Sequence, residues 1–215
     1  MKITLKILWY FAFFWVLVLC AGTFLQYYDF KNDSHFLEIK KAAVATGWYL
    51  PFFYFHIIAS SAILFLGFFQ FSKWVIDKRP LHKFIGKIYV FGVLCFGAPG
   101  AFLMTFFVHR GWAVFISFML QNTLWVFTTL MAFLYIKNRK IDEHVWMMRR
   151  SYALAFGAVM LRFYIWCFSV FGNGVDFEYN YIIIAFSSWI PNLLVVELIN
   201  YYDRKKPVYQ VEDLK

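Results

Sequence analysis

Residues 144–162, HVWMMRRSYALAFGAVMLR, decide how the rest of the chain is read. The stretch opens on a histidine beside a basic pair, Arg149 and Arg150, and closes on an arginine, Arg162, inside an apolar run. His144 and Arg162 lie 18 residues apart. At about 100° per residue that is five full turns, so on one helix they share a face, roughly 27 Å apart along the axis. An apolar helix with a titratable ring at one end and a permanent cation within it belongs in a bilayer. There each ionisable group is costly and marks a site.

Composition places the whole chain in the same setting. Its 215 residues are 62% hydrophobic, 24% aromatic and only 15% charged, with a mean hydropathy of +0.61. Soluble domains run at about 45–50% apolar and about 25% charged. The formal charge of +9 would suggest nucleic acid in a soluble protein. Here Lys and Arg gather between long apolar runs, the positive-inside pattern, and no nucleic-acid partner is expected. The three cysteines, Cys20, Cys95 and Cys167, each sit inside an apolar run with no CxxC spacing, and read as packing residues.

Apolar runs of spanning length fall at 7–25, 50–72, 84–107, 112–136, 150–171 and 180–200. The expected fold is all-α: six transmembrane helices in one domain, 1–215. The first run is too long for a signal h-region and no cleavage site follows, so it reads as a retained helix. Basic residues cluster at 73–87, 137–150 and 204–206, which puts both termini in the cytoplasm and the chain across a cytoplasmic membrane. Residues 26–49 then form an extracytoplasmic loop and 201–215 a polar cytoplasmic tail. Within the loop, Phe36, Leu37, Ile39, Ala42 and Ala43 suit a short amphipathic helix on the outer surface, with Trp48 and Tyr49 as interface anchors. Pro99, between Gly97 and Gly100, and Pro191, beside Asn192, predict kinks in the third and sixth helices.

Polar residues inside the runs carry the functional reading. Counted inward from the helix ends, Arg162, Gln121, Asn122, Asn192 and Ser60 fall near mid-depth, as a polar layer around one cation. That layer is either interhelical glue or a cavity holding a carboxylate, phosphate, propionate or quinone oxygen. His56, Ser60, Ile63, Gly67 and Gln70 recur at helical spacing as a stripe of small and polar groups on the second helix. Four histidines divide by depth: His56 and His109 toward the outer face, His82 and His144 toward the cytoplasm. The set invites comparison with six-helix di-haem cytochromes b, in which imidazoles clamp one haem near each surface. The comparison is imperfect, because His82 and His109 are 27 residues apart, about 40 Å on a straight helix. At the inner surface, Lys83, Arg149 and Arg150 beside His82 and His144 suit an anionic lipid headgroup or a quinone head. His35 lies in the loop and reads as solvated. No metal-ligand spacing beyond a haem iron is present, and neither are the phosphate-loop, dinucleotide or nucleophile-elbow motifs of soluble enzymes.

The segments HIIASSAILFLGFFQFSKWVIDKRPLHKFIGKIYVFGVL and HVWMMRRSYALAFGAVMLR together resemble a bacterial family of predicted membrane proteins, domain of unknown function number 2306. The resemblance rests on His56, Gly67, Gln70, Phe71, Pro80, His82, Gly86 and Tyr89. It continues through His144, Met148, Arg150, Ser151, Tyr152, Ala153, Leu154 and Arg162. Trp146 and Lys83 depart from the pattern, by one position and by a Lys for the usual Arg. The resemblance implies a membrane fold and no activity.

Three functions are consistent with this reading. The first is a membrane electron-transfer bundle holding haem b or a quinone, with His56, His82, His109 and His144 as contacts. The second is a small-molecule transporter or channel lined by Arg162, Gln121, Asn122 and Asn192. The third is a non-catalytic subunit or assembly factor of a membrane complex. The chain has too little extramembrane mass for a nicotinamide or flavin domain, so an electron-transfer role would need a partner protein.

Overall fold

The computed structural model describes residues 3–31, 35–108, 110–172, 174–175 and 179–205, and among these it is helical with no strand. Six helices are long and apolar enough to span a membrane. They are α1 (Ile3–Tyr27), α2 (Tyr49–Gln70), α3 (Arg79–Phe106), α4 (Trp112–Lys137), α5 (Ile141–Phe171) and α6 (Asn180–Lys205).

Two of them begin well before their apolar runs, and local chemistry explains each. Pro80 sits in the first turn of α3, where its fixed φ suits a helix start and its missing N–H costs nothing. In α5 the backbone N–H of His144 already bonds to Lys140 O at 3.1 Å. The basic segment at 141–149, which precedes the apolar run, therefore lies within the helix. The two expected kinks take different forms. A π-helical turn, Val93–Gly97, runs directly into Pro99, widening α3 where the proline removes an N–H. α6 is interrupted between Ser187 and Ile190, with Pro191 on the far side of the break.

The chain divides into two compact units, Met1–Phe115 and Ile116–Lys215. In the first, α2 is the shared partner, packing on α1 and along the length of α3. The loop after α1 folds down onto the start of α2. A 3₁₀ turn (His35–Lys40) and a short helix (Lys41–Val44) bury Leu37 and Ala43 against Tyr49, Phe53 and Tyr54. Tyr49, expected as an interface anchor, is thus a core residue at 1% exposure, whereas its neighbour Trp48 is 71% exposed. Lys40 Nζ donates to Phe107 O at 2.7 Å. Burial, then the nearby Arg110, holds that ammonium below the usual lysine range.

In the second unit α5 packs along both segments of α6. It also meets α4, where Thr129 and Ser151 hydroxyls lie 2.6 Å apart, both buried.

Candidate functional site

The polar stripe on α2 is a packing seam. His56 Nδ1 lies 2.7 Å from Gly97 O, at the end of the π-helical turn. The carbonyl can only accept, so Nδ1 carries the proton, and in the neutral ring the lone pair is on Nε2. A Cβ at Gly100 would meet His56 Cβ at 2.6 Å and Phe52 O at 2.7 Å. Here the α2 and α3 backbones approach as closely as glycine permits. Ser60 adds its hydroxyl 3.3 Å from His56 Nδ1.

At the other end of the seam, Gln70 is buried and donates Nε2–H to His82 O at 2.9 Å. The same amide nitrogen is 3.0 Å from His82 Nδ1 and 3.4 Å from Nε2. An in-plane hydrogen bond to Nδ1 would leave Nε2 about 5 Å away, so the amide sits over the face of the imidazole. Gln70 thus positions His82 through its backbone and ring face. The amide oxygen of Gln70 is buried, with no partner among the described residues. Lys83, next in the chain, is exposed. His109 lies outside the described residues.

In the second unit His144 Nδ1 is 2.8 Å from Ala132 O of α4. As at His56, the proton is on Nδ1 and the neutral ring presents its lone pair at Nε2. The ring is half-buried, and among the described residues Nε2 has no partner.

Arg149 and Arg150, expected to meet an external anion, are answered by carboxylates of α6. Arg149 pairs with Asp203 and reaches Asn200 Oδ1 at 3.3 Å. Arg150 grips Glu197 with two parallel bonds, Nε to Oε1 and Nη2 to Oε2, the latter at 2.7 Å. Asn200 Nδ2 also donates to Trp146 O at 3.3 Å. These two arginines are a clamp between helices. A separation of about fifty residues left no sequence register from which the pairing could be read. Glu197, an acidic residue at the edge of an apolar run, was its one available signal.

Arg162 lies away from the polar layer expected around it. Gln121 Nε2 donates to Leu154 O at 3.0 Å. A Cβ at Gly157 would fall 2.6 Å from Gln121 Nε2, 3.2 Å from Trp189 Cβ and 3.4 Å from Ser188 O. Asn192 donates to Ser188 O at 2.8 Å, and Trp189 Nε1 to Ser117 Oγ at 3.0 Å. Gln121, Gly157, Ser188 and Asn192 therefore mark one level, where α4 and α5 meet the break in α6, with Asn122 buried beside Gln121. Arg162 is eight residues beyond Leu154, about 12 Å further along α5. It is exposed and donates to Ala158 O at 3.2 Å.

No group of three or more His, Cys, Asp or Glu side chains among the described residues is arranged to hold a metal ion. Haem b asks for two imidazoles about 4 Å apart across one iron. Within the first unit, His56 and the Gln70 that carries His82 are fourteen residues apart on α2, about 21 Å. Within the second, His144 is the only histidine. Neither unit by itself supplies a bis-histidine haem site from its described residues.

Comparison with known proteins gives one match. No curated protein and no solved structure matches the chain. A family model described as "Predicted membrane protein (DUF2306)" matches residues 53–200, more than half of the chain, a span that includes His56, His82, His144 and the Arg150–Glu197 pair. The chain therefore belongs to this family of predicted membrane proteins.

Proposed function

We propose that the chain is a membrane electron-transfer protein that binds a quinone, with His144 as the principal contact. The observation that carries this reading is the state of the His144 ring. Its Nδ1–H is committed to Ala132 O, which fixes the tautomer and orientation and leaves a basic Nε2 with no partner among the described residues. An imidazole held this way accepts a hydrogen bond, and then the proton, from a hydroxyl such as that of a quinol. The position supports the same reading. His144 stands in the first turn of a spanning helix, at the depth where a lipid-soluble ring meets the headgroups. His56, locked on Gly97 O, presents the same tautomer in the first unit and is the second candidate contact.

A bis-histidine haem has less support, for the reasons of reach given above. A transport path has less support too, because Gln121 and Asn192 each donate from the side-chain amide to a backbone carbonyl, of Leu154 and Ser188. The proposal places the chain in a bacterial inner membrane with both termini in the cytoplasm, His144 at the cytoplasmic surface, and the electron donor or acceptor on a partner protein.

Organic extraction of the purified chain, followed by chromatography, tests the reading. We expect about one quinone per chain, lost in His144→Ala and retained in Arg162→Met. A wild-type chain that retains none and does not bind added short-chain quinol overturns it. Substrate uptake by cofactor-free proteoliposomes, abolished in Arg162→Met, would establish transport in its place.

A further inference from the structure

Outside the His144 site, α6 carries a groove of about 610 Å³ lined by Leu194, Glu197, Leu198, Tyr201 and Arg204. Their spacing puts them on one helix face. Leu194, Leu198 and Tyr201 are exposed and form an apolar floor, while Arg204 closes the end nearest the chain terminus. Glu197 does not oppose an anion here, because Arg150 holds both of its oxygens.

Arg204 is in a different state from Arg149 and Arg150. Its guanidinium stacks over the Trp146 ring at 4.8 Å, it is exposed, and among the described residues no carboxylate bridges to it. That contact holds the guanidinium carbon over the ring while its N–H donors stay uncommitted among the described residues, the condition in which arginine recognises a phosphate. Lys205 follows, its ammonium 4.4 Å from the Tyr201 ring centre. From Arg204 to Leu194 is ten residues, about 15 Å along the axis, which is about half the thickness of a hydrocarbon core. The groove thus has the length of one leaflet, with cations at one end and an apolar floor along the rest.

We infer that this groove binds one anionic phospholipid, its phosphodiester on Arg204 and Lys205 and an acyl chain along Leu194, Leu198 and Tyr201. Charge complementarity selects the occupant. A quinone brings no charge to the two cations, and a zwitterionic lipid brings its own cation into their field.

Native mass spectrometry of the full chain with equal amounts of phosphatidylglycerol and phosphatidylcholine of matched chains tests this. Wild type should retain phosphatidylglycerol in preference by about tenfold, and Arg204→Gln should cut that preference about fivefold. Trp146→Leu keeps the charge but removes the stack, and should weaken the preference by a smaller factor. Leu198→Gln keeps every cation and should lower retention of both lipids while leaving their ratio unchanged, which guards against misfolding of the arginine variant. Equal retention by wild type, or an unchanged ratio in Arg204→Gln, overturns the inference. Displacement by inorganic phosphate alone would show a free-anion site instead. Quinone content should not follow Arg204, so this result and the His144 result fail separately.

Discussion

At His144 the two ring nitrogens do different work. Nδ1 ties α5 to α4 through Ala132 O, and Nε2 is left as a base. Imidazole in water favours the opposite tautomer, so nitrogen chemical shifts of the ring give a sharp test. At a pH where the ring is neutral, His144 should show a protonated Nδ1 and an unprotonated Nε2. A protonated Nε2 would remove the proposed acceptor. The glycines make a second residue-level test. Gly100→Ala drives a methyl into Phe52 O and His56 Cβ, neither of which can swing aside, and should cost about 1–3 kcal/mol in detergent unfolding. Gly157→Ala meets first the far end of Gln121, which can turn away at the loss of its bond to Leu154 O. That should cost about 1 kcal/mol. A loss at Gly100 smaller than that at Gly157 would contradict the close approach assigned to α2 and α3.

Among the elements, the clamp between α5 and α6 ties the two helices by charge as well as by packing. The Arg150 side chain is 13% exposed and that of Glu197 is 44% exposed, so half of the pair is wet and the pair is worth less than a fully buried one. A double-mutant cycle with Arg150→Met and Glu197→Gln should give a coupling of about 1–2 kcal/mol. Additive single losses would mean that the two helices hold together without it. The elements also show what a linear reading could recover. Six spans were legible because length and hydropathy define a membrane helix, and the disturbance at Pro99 because proline removes an N–H. The clamp was not legible, since Asp203 falls in a segment that reads as polar tail and pairs with Arg149 only once α6 runs on to Lys205. Nor was the burial of Tyr49, whose aromatic hydroxyl reads equally well as an interface anchor. The start of α5 at Ile141 lies ahead of its apolar run because hydropathy marks where a helix becomes apolar, which is not where its hydrogen bonding starts.

For the whole molecule, the proposal sets both termini in the cytoplasm, a reading supported by the six candidate spans and the placement of Lys and Arg between them. A fluorescent protein that matures only in the cytoplasm, fused after Lys215, should be bright, and a periplasm-dependent phosphatase fused there should be inactive. The reverse pattern would move His144 to the outer surface. Family membership, the six spans and the clamp hold whatever the ligand. The central claim is that the bundle holds a quinone at His144, and extraction of bound quinone from purified wild-type and His144→Ala chains tests it most directly. About one quinone per wild-type chain and none in the variant is the predicted result. Equal content in the two, or none in either, would contradict it.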